Sequence, residues 1–238
     1  MLDHFAGKSA EDHVRQAAHK GIAFTAETHG AEIPGTISSF FDAAKDSVIA
    51  GLLVWAATEH WTALVVFSCG WVIWKGGLRA LMAWARLERL HRLIEEERWE
   101  IEHHRGQERM ELEALYARKG FSGKLLTEVV DVLMADEDRL LQVMLEEELG
   151  LTLETYDHPL KQATGAFLGA FCTLFFLCIS SCFFGWYGIG IVGGLGLSAL
   201  SWIDAKMQKN TKRSTLIWHL SLGALSVGAV YFLRTAFL

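Results

Sequence analysis

The chain has 238 residues, 51% hydrophobic and 21% charged, with 22 glycines, 2 prolines, 4 cysteines and a formal net charge of -6. That much apolar material excludes a disordered chain, the acidic balance argues against nucleic acid as a partner, and four cysteines are ordinary usage, not a disulfide scaffold. What decides the class is how the apolar residues are distributed, and they are clumped.

Residues 1–43 read as a polar N-terminal segment with no apolar run long enough for a signal peptide. Ser9-Ala-Glu-Asp12 has the form of a helix start. His4, His13, His19 and His29 are either a metal-collecting segment or the exposed polar face of a short helix. Residues 44–79 are the first membrane segment or segments. The apolar run 47–74 is interrupted by Glu59 and His60, so it is either one long helix with a buried acid or two short pieces, about 44–57 and 61–79.

From Lys75 the pattern predicts a long amphipathic helix on which Arg79, Arg86, Arg89 and Arg92 recur just beyond the apolar run. Cations beside a span mark the cytoplasmic side, and Trp71, Trp74 and Trp84 fit an interfacial belt. A helix break is expected around Gly106, a C-terminal stop at Gly120, and new helix starts at Ser122 and Asp136. Between Glu95 and Asp157 there are 18 acidic and 7 basic residues, a local net charge of -11 that leaves +5 for the remainder. Residues 80–158 therefore read as an acidic, all-helical insert in water.

The last third returns to the bilayer. Residues 162–203 hold no Asp, Glu, Lys or Arg over 42 positions, and 215–233 hold none over 19, with His219 as the one histidine. A crossing needs about 20 apolar residues, so 159–238 holds three spans: about 160–183, 189–203 after a turn at Gly185-Trp186-Tyr187-Gly188, and 215–233. Gly190 and Gly194 offer a small-xxx-small seam for close helix approach. The loop 204–214 carries Lys206, Lys209, Lys212 and Arg213, which makes it cytoplasmic. Two spans separate it from the insert, so both face the same side. The fold class expected is an all-α integral membrane bundle of four to five spans with a cytosolic helical insert.

Within the insert, Glu97, Glu100, Glu108 and Glu111 are spaced 3, 8 and 3 residues apart. On one continuous helix, at about 100° per residue, they fall within roughly 80° of arc. Stacked like charges repel by a few tenths of a kcal/mol per pair; a divalent cation converts that cost into binding, and oxygen ligands suit Mg²⁺, Mn²⁺ or Fe²⁺. His103 and His104 lie between the pairs and could add nitrogen ligands. The plain alternative is a solvated acidic face, since Glu88, Glu95, Glu96, Glu102 and Glu113 crowd the same stretch.

Over residues 40–238 the chain resembles the vacuolar iron transporter family. The resemblance rests on Glu97-x2-Glu100-x7-Glu108-x2-Glu111, then Leu115-x4-Gly120-Phe121, then Met144-Leu145-Glu-Glu-Glu148-Leu-Gly-Leu151, then His158-Pro159 opening the next span. It implies that Glu97, Glu100, Glu108, Glu111, Met144 and Glu148 are metal ligands, with Leu145 in place of a second methionine. It further implies export of Fe²⁺ or Mn²⁺ from the cytosol by proton antiport, in a homodimer, from a bacterial inner membrane or an organelle membrane, with metal as cargo and no cofactor.

The chain departs from the family in its first two spans. Leu52-Leu53 stands where an Asp-Gly pair is usual, Asp46 sits at the mouth of the span, and Phe67 and Lys75 stand where Glu and Met face the path. Glu59 and Asp46 are the remaining candidates for the transport path. Cys172, Cys178 and Cys182 could be soft ligands or helix-packing residues, and His219 reads as a packed or hydrogen-bonded residue. No nucleophile triad, phosphate loop, zinc quartet or dinucleotide fingerprint supports an enzyme. Two other readings use the same features: a membrane-anchored metal buffer or sensor that has lost the path, and a structural membrane protein whose acidic helices bind a partner.

Overall fold

The computed structural model describes residues 35–147 and 158–237, and among these every element is helical. In chain order the helices are α1 (Gly35–Thr58), α2 (Trp61–His103), α3 (Arg105–Arg118), α4 (Gly123–Met134), α5 (Glu137–Glu147), α6 (Pro159–Met207) and α7 (Lys212–Phe237). Three of them, α2, α6 and α7, are long and apolar enough to cross a membrane. The described residues divide into two compact units, 35–85 with 158–237, and 86–147. The helix α2 contributes residues to both.

In the first unit α1 is the central element. It buries Ser39, Ala43, Ala44, Ser47, Ala50 and Gly51, among others. Side chains this small let backbones approach closely, which is what holds helices together where lipid is as apolar as the protein. Thr36 and Phe40 of α1 meet Gly165 and Gly169 of α6, and further along Gly51 meets Leu174 and Leu177, so this part of α6 runs parallel to α1. At Gly185 the backbone leaves the helical region (φ 54°, ψ -137°). Beyond it Gly193 meets Leu52, and Asp204 meets Lys45 earlier on α1, so α6 has turned back. Ile49 against Gly223 and Glu59 against Arg234 make α7 parallel to α1. Ser47 against Trp71 and Asp42 against Arg79 make α2 antiparallel to it. The unit is thus five helical passes gathered round α1.

The outer surface of this unit is apolar. Phe175, Phe183, Ile191, Leu195, Trp218, Leu222 and Phe232 point outward, and only 6% of the most apolar window of α7 is buried. An apolar exterior of this extent is what a bilayer requires. The two readings of 47–74 are decided here: α1 ends at Thr58 and α2 begins at Trp61. The expected seam at Gly190 and Gly194 is not where helices touch, since a Cβ at either position would meet open space. The close seam is Gly165-x3-Gly169, where a Cβ would overlap the carbonyl oxygens of Thr36 and Phe40.

The second unit packs the far part of α2 with α3, α4 and α5 around Leu90, Ile101, Leu112, Val130, Met134, Leu140, Leu141, Met144 and Leu145. Its turns follow from local chemistry. After α3, Phe121 N–H donates to Tyr116 O (3.2 Å) and Gly120 N–H to Ala117 O (3.0 Å). This double bond closure needs a left-handed residue, and Gly120 supplies it with φ 98°. Asp136 caps α5 by accepting from Arg139 N–H at 2.9 Å. Ser122 occupies the N-cap of α4, though without a side-chain cap bond. Arg105 and Arg109 of α3 tie the neighbouring helices, Arg105 donating to Met134 O (2.6 Å) and Glu137 (2.8 Å), Arg109 to Asp131 (2.5 Å). The helix start at Ser9 lies outside the described residues.

Candidate metal centre and membrane carboxylates

Glu97 and Glu100 stand on α2, Glu108 and Glu111 on α3. The helix breaks at His104 (φ -126°, ψ 31°), two residues before the glycine expected to break it. The four carboxylates therefore lie on two helices, not along one stripe. His104 serves both sides of the break through its backbone: its N–H donates to Glu100 O (2.7 Å), and its carbonyl accepts from Gln107 (2.7 Å) and Glu108 (3.2 Å).

Burial separates these glutamates from their neighbours. Glu97, Glu108 and Glu111 are only 5%, 1% and 1% exposed, and Glu100 is half-buried, whereas Glu95, Glu96 and Glu102 are exposed. Alternate positions of a merely wet acidic helix would not sort in this way, because burying a carboxylate costs several kcal/mol unless charge or hydrogen bonds compensate it. The sequence spacing singled out these four positions but put them on one helix; burial shows which of the many glutamates turn inward.

Met144 is fully buried in the core of the same unit, beside Leu112, Leu140 and Leu145. Glu148 lies outside the described residues. His103 is exposed and stacks on Trp99 (centroids 4.5 Å apart), with Nδ1 at 2.9 Å from Trp99 O. His104 meets the same indole edge-on at 5.3 Å. Among the described residues, no three His, Cys, Asp or Glu side chains are grouped closely enough to hold an ion.

The membrane unit holds its own charges. Glu59 sits in the two-residue link between α1 and α2, with φ 55°, a side chain 47% exposed and an ion pair to Arg234 at 2.6 Å. It is a turn residue, not an acid within a continuous span. The hydrogen bond from Arg234 holds its carboxyl below the ordinary value of 4.5. A depressed carboxyl pKa stabilises the fold above the ordinary value and loses that contribution as pH falls through the depressed one. Glu59→Gln is therefore expected to lower the melting temperature of the detergent-solubilised protein at pH 7, by an amount that shrinks to nothing on acidification below pH 4.5. A deficit independent of pH would contradict this role.

In the N-terminal half of α1, Asp46 pairs with Lys75, and Arg79 Nη2 lies 2.5 Å from Asp42. Lys45 lies between Asp42 (3.4 Å) and Asp204 (2.6 Å), and Gln208 Nε2 donates to Asp204 Oδ1 (2.7 Å). Sequence reasoning read Arg79 as an orienting cation and Lys75 as standing where a methionine faces the path, and paired neither with an acid. The signal for more was the i,i+3 and i,i+4 spacing of Asp42, Lys45 and Asp46 on one helix and of Lys75 and Arg79 on the next.

The remaining candidates are placed as follows. Cys178 Sγ lies 3.6 Å from Ser68 Oγ, and Cys172 and Cys182 are exposed. His219 Nδ1 is bonded to Thr215 O at 2.9 Å. The histidines of the N-terminal segment lie outside the described residues. A cavity of about 230 Å³ lies against Ile49, Leu52, Trp186, Gly194, Leu220 and Gly223 and is lined without a metal-ligating side chain.

A family model described as the VIT family matches residues 81–235 of this chain. No curated protein matches it.

Proposed function

The chain belongs to the VIT family, the vacuolar iron transporters, and we propose that it exports Fe²⁺ or Mn²⁺ from the cytosol by exchange with inward protons. The family is one of membrane metal-ion transporters, not of enzymes, and the apolar helices accord with an integral membrane protein. The observation that supports the proposal best is the burial of Glu97, Glu108 and Glu111 beside exposed glutamates on the same stretch. In this reading residues 80–158 form the metal-gathering insert, with Glu97, Glu100, Glu108, Glu111, Met144 and Glu148 as its ligands. Carboxylates fit the task because they bind metal when ionised and release it when protonated.

The route through the bilayer runs along α1 between Asp46 and Glu59. Twelve residues of helix lie between them, and thirteen steps at 1.5 Å each make about 20 Å. In this reading the insert and the basic loop 204–214 both face the cytosol, the side favoured by Lys206, Lys209, Lys212 and Arg213. The working form is a homodimer.

A second reading, a membrane-anchored buffer or sensor, is favoured by one observation: Asp42, Asp46 and Asp204 are already matched by Arg79, Lys75 and Lys45. Titration of the purified full-length chain with Mn²⁺, followed by electron paramagnetic resonance, tests both. Binding that weakens in Glu97→Gln/Glu100→Gln supports the glutamate site. Absence of any binding removes both readings and leaves a structural membrane protein.

A further inference from the structure

The cavity of about 230 Å³ lies between the returning half of α6 and α7, over Ile49 and Leu52 of α1. Glycine makes the space: at Gly190 and Gly194, which line it, an added Cβ would meet nothing within 4 Å. Gly190 on one wall and Ala224 on the other are exposed, so the cavity opens onto the apolar outer surface of the membrane unit. Water is a poor filling, because apolar cavities of this size stay dry. Leaving it empty costs stability in proportion to its volume. Hydrocarbon remains, supplied either by a lipid chain or by the apolar surface of a second copy.

Size and depth favour the lipid. Eleven helical steps lead from Trp186 to Leu197, the two ends of the α6 wall, about 16 Å at 1.5 Å each. A helix of that length, about 10 Å across, displaces about 1,300 Å³, several times what the cavity holds. One extended chain fits. The length also matches one leaflet, since half of a hydrocarbon core of ~30 Å is about 15 Å. At the end near the Gly185 turn the groove is bounded by Trp186, whose ring lies 5.5 Å from that of Tyr231 on α7. Such aromatic pairs sit at headgroup level, and the ion pair of Glu59 with Arg234, one turn beyond Tyr231, stands at the same end.

We propose that a phospholipid of the leaflet on the Glu59 side lays one acyl chain in this groove, as a wedge that completes the packing of α7 on α1 and α6. Of these helices α7 has most to gain, because Gly223 is its one buried residue among those described. The inference goes beyond the metal reading and does not depend on it.

The test uses the full-length protein in vesicles containing a phosphatidylcholine whose acyl chain carries a photoactivatable diazirine. Adducts on the groove walls, 189–197 and 220–227, are expected at least fivefold above those at outward-facing Phe175 and Phe183. Gly190→Leu with Gly194→Leu fills the groove from its own wall and is expected to abolish that excess. The same variant is expected to lose at least half of the rise in melting temperature that added phosphatidylcholine gives the detergent-solubilised wild type. Should it not fold, Ala224→Phe, which fills the groove from α7, decides by the same two readouts. Even labelling along α6 and α7 overturns the proposal. So does a groove labelled less than Phe175 in a dimer that the leucine variant dissociates, which would make a second copy the occupant.

Discussion

Replacing Glu108 and Glu111 together by glutamine is expected to weaken Mn²⁺ binding by the full-length chain at least tenfold while leaving its helices intact. Both carboxylates are nearly inaccessible, on one face of α3 and one turn apart. Glutamine keeps the volume and one carbonyl oxygen but removes the charge, so the packing around Leu112 and Leu115 should survive. Removal of two anionic ligands costs a divalent ion more than the 1.4 kcal/mol that a tenfold change represents. The melting temperature of the metal-free protein, read beside the affinity, separates function from structure. Weaker Mn²⁺ binding at an unchanged melting temperature of the metal-free protein is the result expected of ligands. Melting lower by several degrees, with affinity unchanged, would make the two glutamates structural.

Gly165→Val combined with Gly169→Val is expected to break the membrane unit. A Cβ at either position would overlap a backbone carbonyl of α1, Thr36 or Phe40, and backbone cannot swing aside as a side-chain tip does. Overpacking costs about 1–3 kcal/mol per site where side chains can adjust, and these two sites sit one turn apart on the same seam. We expect loss of the monodisperse detergent-solubilised species in size-exclusion chromatography. The matched control is Gly190→Val with Gly194→Val, where a Cβ meets nothing within 4 Å. That pair should be tolerated, and equal damage from both would refute the assignment of the seam.

These two glycine pairs show what the sequence could and could not convey. A small-xxx-small spacing announces the capacity for close approach, but which of two such pairs is used depends on the helix that arrives opposite, and that is a long-range fact. Positions governed by their own backbone were legible. Gly120 at the end of α3, Asp136 at the start of α5, Pro159 at the start of α6 and Gly185 at its turn all stand where their conformational preferences put them. The break at His104 was missed because nothing in a histidine announces it, while Gly106 nearby has the stronger breaking tendency. The end of α1 stayed open for a related reason. Glutamate seldom takes a positive φ, and Arg234, whose ion pair accompanies it, lies at the far end of the chain. The candidate metal ligands were legible as a spacing; their inward orientation was not, since several glutamates in that stretch satisfy the same period.

The central claim is that this chain carries divalent metal across a membrane. The most direct measurement is Mn²⁺ entry into sealed proteoliposomes containing the purified full-length protein and an internal metal-sensitive dye, with and without an inside-acid pH gradient. The account predicts saturable entry above that of protein-free vesicles, faster with the gradient, and reduced at least tenfold in Asp46→Asn. Entry no faster than in protein-free vesicles, from a protein that still binds Mn²⁺ in solution, would contradict it and identify the chain as a metal store anchored in the bilayer.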